Sequence, residues 1–329
     1  MRILILGGTV FLGRHVVEAG QARGHELTLF NRGQTNPELF PDVEKLRGNR
    51  DGSLVALEGR SFDAVVDTSG YVPRVVRQTI EALGDVGHYT FVSTIGVYAD
   101  FSQPPREDAP LAALEEETED WREAYGPLKA LCEREVRAQV PDAFILRPGL
   151  ISGPWDPTGR FTYWPVRVAD GGRVLAPEPP LAPSQIIDVR DLAEWIVDAA
   201  ERGLGGTFNA VSETFTFEHL LGTCAEVAGT DVELVWVDPD FLAAHDVSPW
   251  IELPLWLNDP REEGLLRVPS EAALANGLRI RPLTETVADT LEWARSGEAS
   301  TAAAGFERER AGLDRQKEQR LLDAWVSKE

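Results

Sequence analysis

The chain opens on one short apolar run, Arg2 to Leu6, that ends directly in Gly7-Gly8. It then passes through Thr9-Val10-Phe11-Leu12-Gly13 into a helical pattern. This order of strand, tight turn and helix constrains the fold more than any other stretch. Gly7 permits the turn, and Gly13 lets the helix lie close to the strand. Backbone N–H groups and a helix N-terminus then face one point, where a pyrophosphate can be held. Val10 stands where a G-x-x-G-x-x-G pattern has its middle glycine. A plain βα turn is the competing reading.

The alternation continues along the first half. Helix is predicted over His15–Arg23, closed by Gly24, and strand over Glu26–Phe30. Phe62–Asp67 and His88–Val92 read as strands with helix over Val75–Leu83 between them; helix Tyr125–Val140 leads to strand Ala143–Leu146. Strands alternating with helices imply right-handed crossovers and a parallel sheet covered on both faces. The second half is less regular. Gly149 to Pro183 is rich in Gly, Pro and aromatics. Helices are expected over Asp191–Glu201, Phe217–Ala228 and Leu283–Arg295, with strands at Gly206–Val211 and Glu233–Asp238. The expected organisation is a Rossmann-like α/β doubly wound parallel sheet over residues 1–150, also receiving 185–212. A smaller substrate lobe takes 151–184 and 213–297. Residues 298–329 form a linker and a charged helix, expected over Phe306–Glu329.

The formal net charge of −22 gives a strongly negative field, unfavourable to nucleic acid and anionic membranes. Any anionic ligand then needs local basic groups. Cys132 and Cys224 have no metal-ligand spacing, and no metal site is expected. No run approaches the roughly 18 apolar residues of a membrane span. A cytoplasmic location is expected.

Two local features carry chemistry. The second strand ends Phe30-Asn31-Arg32-Gly33. An acidic group there accepts from the ribose 2′-OH of NAD, whereas a guanidinium can grip a 2′-phosphate. Asn31 followed by Arg32 therefore favours NADP over NAD, with a surface charge as the bland alternative. The second feature is Tyr125-Gly126-Pro127-Leu128-Lys129. On a helix Tyr125 and Lys129 share one face. Lysine is scarce here, four against 28 arginines, so one beside a tyrosine is notable. A compact ammonium can sit by a phenol and favour its ionised form, which a planar guanidinium does less readily.

These residues together resemble the extended or atypical short-chain dehydrogenase/reductase superfamily, the NAD-dependent epimerase/dehydratase-like type, through about Arg295. Val92-Ser93-Thr94-Ile95-Gly96-Val97-Tyr98 is similar to the family's segment after the fifth strand. Leu146-Arg147-Pro148-Gly149 with Ser152-Gly153-Pro154, and Ile187-Asp188-Val189-Arg190-Asp191-Leu192-Ala193, are similar to two later blocks. The resemblance implies Thr94, Tyr125 and Lys129 as the catalytic set, with Ser93 as a second-choice hydroxyl. It places the cofactor over Gly7, Thr9, Val10, Phe11, Leu12 and Gly13, and against Asn31 and Arg32. Asn49, Arg50 and Asp51 fall near the adenine; Thr68, Ser69 and Gly70 pass under the ribose and pyrophosphate; Ser93, Tyr125, Lys129 and Pro148 lie toward the nicotinamide. Tyr71, Thr94, Trp155, Arg160 and Tyr163 are candidates for the substrate, although aromatics of this kind also simply pack. The family's dehydratases carry Asp-Glu where Ile95-Gly96 stands, and its 4-epimerases an asparagine where Pro148-Gly149 stands. Both departures lower the nucleotide-sugar reading.

The expected function is NAD(P)-dependent carbonyl reduction or alcohol oxidation of a small molecule. An epimerase with retained NAD is the enzymatic rival, and a cofactor-sensing or RNA-binding scaffold the non-catalytic one. The superfamily also implies a homodimer.

Overall fold

The computed structural model describes residues 1–298 and 311–327. Its centre is a seven-stranded parallel sheet. The strands are β1 (Arg2–Leu6), β2 (Glu26–Asn31), β3 (Glu44–Arg47), β4 (Ala64–Asp67), β5 (Tyr89–Val92), β6 (Phe144–Pro148) and a last strand, Gly206–Ala210. From one edge the order is β3-β2-β1-β4-β5-β6, with Gly206–Ala210 outermost beside β6. The chain runs outward from β1 to β3 and returns to β4. The order thus reverses between β1 and β4, where their C-terminal ends leave a crevice. Ile3 pairs with Ala64 and Leu6 with Asp67, so the glycine turn and the Thr68–Gly70 loop leave the sheet side by side.

Helices cover both faces, which is why β1 reads as a continuous apolar run. On one face α1 (Phe11–Ala22) and α5 (Val189–Arg202) bury Leu12, Val16 and Val17 against Leu192, Trp195 and Ile196. On the other, α2 (Pro73–Leu83) and α3 (Tyr125–Gln139) bury Val76, Ile80 and Leu83 with Cys132 and Val136. The helix predicted from His15 begins at Phe11 instead. The turn itself fixes that start, because Gly13 lies in the first turn against the backbone of Gly8.

The lobe has its own core. Strand Gly172–Pro177 pairs in parallel with Val232–Val237. Phe161 and Trp164 pack with Phe217, Leu220 and Leu221, the last three on α6 (Phe217–Ala228). Strand Gly172–Pro177 is not evident in the sequence, being embedded in a Gly/Pro-rich stretch. The terminal helix runs Arg315–Val326 and gives Leu321 and Leu322 to this same core. Its Glu318 is buried against Arg167 of α4 (Tyr163–Ala169), at 2.7 Å. The charged helix expected over Phe306–Glu329 is helical from Arg315 and docks; 306–310 and 328–329, with 299–305 of the expected linker, lie outside the described residues.

Candidate active site

The crevice floor is made by glycine. Gly7 and Gly8 both have positive φ, 117° and 91°. A Cβ on Gly7 would stand 2.7 Å from Thr68 Oγ1, and one on Gly13 would stand 2.8 Å from the backbone N of Gly8. The Thr68 and Ser69 hydroxyls both donate to the Leu6 carbonyl, at 2.9 and 3.1 Å. Turn and loop are thus locked together. Val10 is the N-cap of α1, in extended conformation; no side chain caps the helix and no acid occupies its first turn. The N-terminal N–H groups therefore remain free of side-chain caps. Thr9 and Leu12 are buried behind the turn, and Phe11 holds φ 32° at its corner. These residues fit a dinucleotide pyrophosphate: the glycines let turn, loop and helix close to distances that a Cβ would forbid, so that backbone lines the floor, and the helix end above it is uncapped.

At the end of β2, Asn31 donates to the Gly7 carbonyl at 2.8 Å and accepts from Gly33 N at 2.9 Å. Arg47 also donates to its Oδ1. Asn31 is therefore a staple for the glycine turn rather than an open ribose acceptor. Arg32 is exposed and makes no hydrogen bond or ion pair with a described residue. The Arg47 guanidinium lies 3.0 Å from where a Gly33 Cβ would be, so a second arginine reaches the loop that carries Arg32.

Beneath the floor sits a buried ion pair. Arg50 grips both oxygens of Asp67 at 2.7 Å, and the Tyr89 hydroxyl donates to Asp67 at 3.0 Å. Burial alone would raise the Asp67 carboxyl, but the adjoining guanidinium overrides it and holds the group below its usual range. The family resemblance implies Arg50 beside the adenine; its guanidinium is instead committed to Asp67 and Thr79, as a strut under the loop. Asp51 is also diverted, pairing with Arg74 at the surface (2.8 Å), while the Asn49 side chain accepts from Asp51 N at 3.2 Å.

The second wall is α3. Lys129 is 3% exposed, and its ammonium donates to the carbonyls of Gly70 (2.8 Å) and Val92 (2.5 Å). Burial pulls it down to about 8. Gly70 continues the glycine floor and Val92 ends β5, so one ammonium bridges both elements. Tyr125, at the first position of α3, is 37% exposed. Its ring lies 6.3 Å from that of Tyr71, which stacks on Trp121 at 4.9 Å. Trp121 belongs to an acidic loop before α3 and has no counterpart among the expected site residues. Thr94 caps the short helical turn Ile95–Val97, its hydroxyl oxygen accepting from Gly96 N at 3.1 Å. That turn touches α3 directly: a Cβ on Gly126 would fall 2.1 Å from the Gly96 carbonyl oxygen. Thr94, Tyr125, Lys129, Gly70 and Tyr71 are thus assembled beside the crevice.

Ser93 is buried with no hydrogen bond of good geometry, yet it lies near enough to help keep the Glu133 carboxylate charged. Pro148 ends β6, buried. Three substrate candidates have packing partners of their own. Trp155 is sandwiched by Arg14 (3.5 Å) and Trp293 (5.8 Å). Tyr163 stacks on Trp164 at 4.8 Å and lies under Gly312, where even a Cβ would clash at 2.5 Å. Arg160 lies over Trp250 at 5.8 Å. Tyr163 is held in the lobe core, whereas Trp155 packs in a small separate cluster with Trp293 against Arg14 of α1.

No protein-family model matches the chain. A curated protein of Arabidopsis thaliana, the chloroplast stem-loop binding protein of 41 kDa b, is 27% identical over 261 residues. That match covers 72% of this chain and 66% of the relative's length, just under two thirds. The fold is shared with many solved structures. WbmH of Bordetella bronchiseptica, in complex with NAD+, superposes with a TM-score of 0.66 over 89% of this chain and 98% of its own, at 18% identity. A putative epimerase of Burkholderia cenocepacia gives 0.68 over 90% and 98%, at 17% identity. UDP-glucose 4-epimerase of Thermus thermophilus, in complex with NAD, gives 0.63 over 90% and 99%, at 21% identity.

Proposed function

We propose that this chain is an NAD(P)-dependent enzyme that exchanges hydride at an alcohol carbon of a small molecule, with Tyr125 as its acid/base. The observation that carries the reading is the Lys129 ammonium, bridging the floor carbonyl of Gly70 and the β5 carbonyl of Val92 four residues along the helix from Tyr125. A nicotinamide dinucleotide, when bound, supplies or takes the hydride. The residues do the rest. Gly7, Gly13 and the N-terminus of α1 would hold the pyrophosphate. The Thr94 oxygen already accepts from Gly96 N, which leaves its hydroxyl hydrogen to donate to a substrate oxygen and aim it. Tyr125 would move the proton at that oxygen, a step worth about 10²–10⁴ in rate. Two donors of Lys129 are engaged, and the third is left for a ribose hydroxyl.

Of the two outcomes of this chemistry, epimerisation with retained cofactor is supported by the solved neighbours named as epimerases. Net reduction with NADPH is the second reading, supported by the exposed Arg32 directly after β2, with Arg47 reaching the same loop. A nucleic-acid-binding role, which the stem-loop binding in the Arabidopsis relative's name would suggest, is opposed by the −22 net charge.

The experiment is a titration with NADPH and NADH, followed by turnover assays with sugars and carbonyl compounds. Product without net change of added cofactor supports the epimerase, and steady consumption of NADPH the reductase. Arg32→Ala should weaken NADPH far more than NADH; equal loss removes the phosphate assignment. Absence of binding to either dinucleotide overturns the enzyme reading.

A further inference from the structure

Behind the α3 wall lies a buried polar cluster that the proposed chemistry does not use. Tyr125, Lys129 and Glu133 follow one another at four-residue spacing along one stripe of α3. Glu133 is fully buried and meets Arg147 of β6 through two parallel hydrogen bonds of 2.9 and 2.7 Å. The remaining terminal nitrogen of Arg147 donates to the Tyr98 hydroxyl at 3.0 Å and to the Glu107 carbonyl at 2.9 Å. Tyr98 in turn donates to Asn209 Oδ1 at 2.5 Å. Tyr98 is the C-cap of the turn whose N-cap is Thr94. One guanidinium therefore ties the far end of the Thr94 turn to the middle of the helix that starts with Tyr125.

The same two elements meet again at their near ends. Gly126, the residue after Tyr125, lies so close to the Gly96 carbonyl that a Cβ would stand 2.1 Å from that oxygen. A glycine inside a helix costs about 1 kcal/mol against alanine, so its presence in the first turn calls for a packing reason, and the Gly96 carbonyl is that reason. The contact at Gly126 fixes how close the two elements come. The Glu133–Arg147–Tyr98 chain fixes how they are rotated. A bidentate pair specifies angle as well as distance, and its burial excludes competing water.

We propose, resting on the Tyr125 reading above, that Gly126 with Gly96 and Glu133 with Arg147 and Tyr98 form a two-point clamp that holds the Thr94 hydroxyl in register with the Tyr125 phenol and the Lys129 ammonium. These are positioning residues. None lies on the glycine floor, so the clamp sets the geometry of the reacting oxygen and leaves the grip on the dinucleotide alone. The groups that act electrically on Lys129 are Asp67, Glu133, Cys132 and Arg50, so breaking the Glu133 end also changes the charge around the ammonium.

Three variants test it: Gly126→Ala, Tyr98→Phe, and Glu133→Leu with Arg147→Met, which removes both charges of the pair together; Arg137, which also meets Glu133 at 3.0 Å, keeps Thr207 and solvent. Dinucleotide affinity, read by fluorescence titration, should stay within about threefold of the parent if each variant is folded. Amide exchange by mass spectrometry reads the clamp itself. In the double variant, exchange over Ile95–Tyr98 and over the first turn of α3 should rise together by at least about tenfold. Unchanged exchange in those two segments overturns the clamp. The second readout is the pH profile of Tyr125 nitration by tetranitromethane, followed by peptide mass, with Lys129→Met as reference. Gly126→Ala and the double variant should move the profile at least half of the way to the reference, and Tyr98→Phe by less. Profiles that stay on the parent's, in variants that still bind dinucleotide, overturn the positioning role. A parent profile already superimposed on that of Lys129→Met sinks the Tyr125–Lys129 reading instead, while exchange still decides the clamp. If Gly126→Ala fails to fold, Tyr98→Phe, which removes one hydroxyl, carries the comparison.

Discussion

Two buried arginine–carboxylate pairs, in different halves of the molecule, are built alike and do different work. Arg50–Asp67 lies under the glycine floor, between residues 17 apart, with the Tyr89 hydroxyl completing the carboxylate's shell. Arg167–Glu318 lies in the lobe, between residues 151 apart, and joins the terminal helix to strand Gly172–Pro177 through Leu175 N. Both hide charge at a cost that only good geometry offsets. The first braces a loop that touches the crevice; the second completes a core. Position, not chemistry, decides which pair bears on function.

The largest effect expected is on turnover. Tyr125→Phe should cost about 10²–10⁴ in kcat with dinucleotide affinity unchanged. Loss of binding instead would mean that the phenol serves the fold. The two ion pairs come next. Asp67→Asn and Glu318→Gln each strand a buried guanidinium and should each cost about 3–5 kcal/mol, read by urea unfolding. Only Asp67→Asn should also weaken dinucleotide binding, and equal weakening by both would erase the distinction between the halves. Gly13→Ala sharpens the floor side: its Cβ would meet Gly8 N at 2.8 Å, so affinity should fall at least about tenfold while the lobe's melting is unmoved.

The last effect expected is a pH dependence. Burial pulls Lys129 from an ordinary 10.5 to about 8. Between about pH 8 and 10.5 the unfolded chain therefore binds more protons than the folded one, and stability relative to Lys129→Met should rise with pH across that window. Below about pH 8 both states hold the proton and the difference should be flat. A difference that falls through the window would show that the ammonium is not desolvated.

What the sequence discloses depends on the range of the interactions. Strand, glycine turn and helix occupy one continuous stretch, so Gly7, Gly13 and the parallel sheet are legible from spacing alone. Tyr125 and Lys129 share a turn of helix and are legible for the same reason. Arg50 and Asn31 sit where expected, but their side chains are committed to Asp67 and to the glycine turn, partners that only the folded sheet provides. Trp155 and Tyr163 read as a substrate wall because aromatics and arginine crowd the stretch around them. The fold turns them onto Arg14, Trp293 and Trp164 instead. Trp121 carries one signal, a lone tryptophan four residues before Tyr125, and Gly126 another, a glycine within a helix. Neither has meaning until the neighbouring element is known.

The central claim is that one dinucleotide lies on the glycine floor with its reactive ring at the α3 wall. A crystal structure with NADPH or NADH bound tests it directly. The account predicts the pyrophosphate over Gly7–Gly13 and the nicotinamide C4 within about 4 Å of the Tyr125 hydroxyl once a substrate oxygen is between them. A dinucleotide bound elsewhere, or one whose nicotinamide points away from Tyr125 and Lys129, would contradict it.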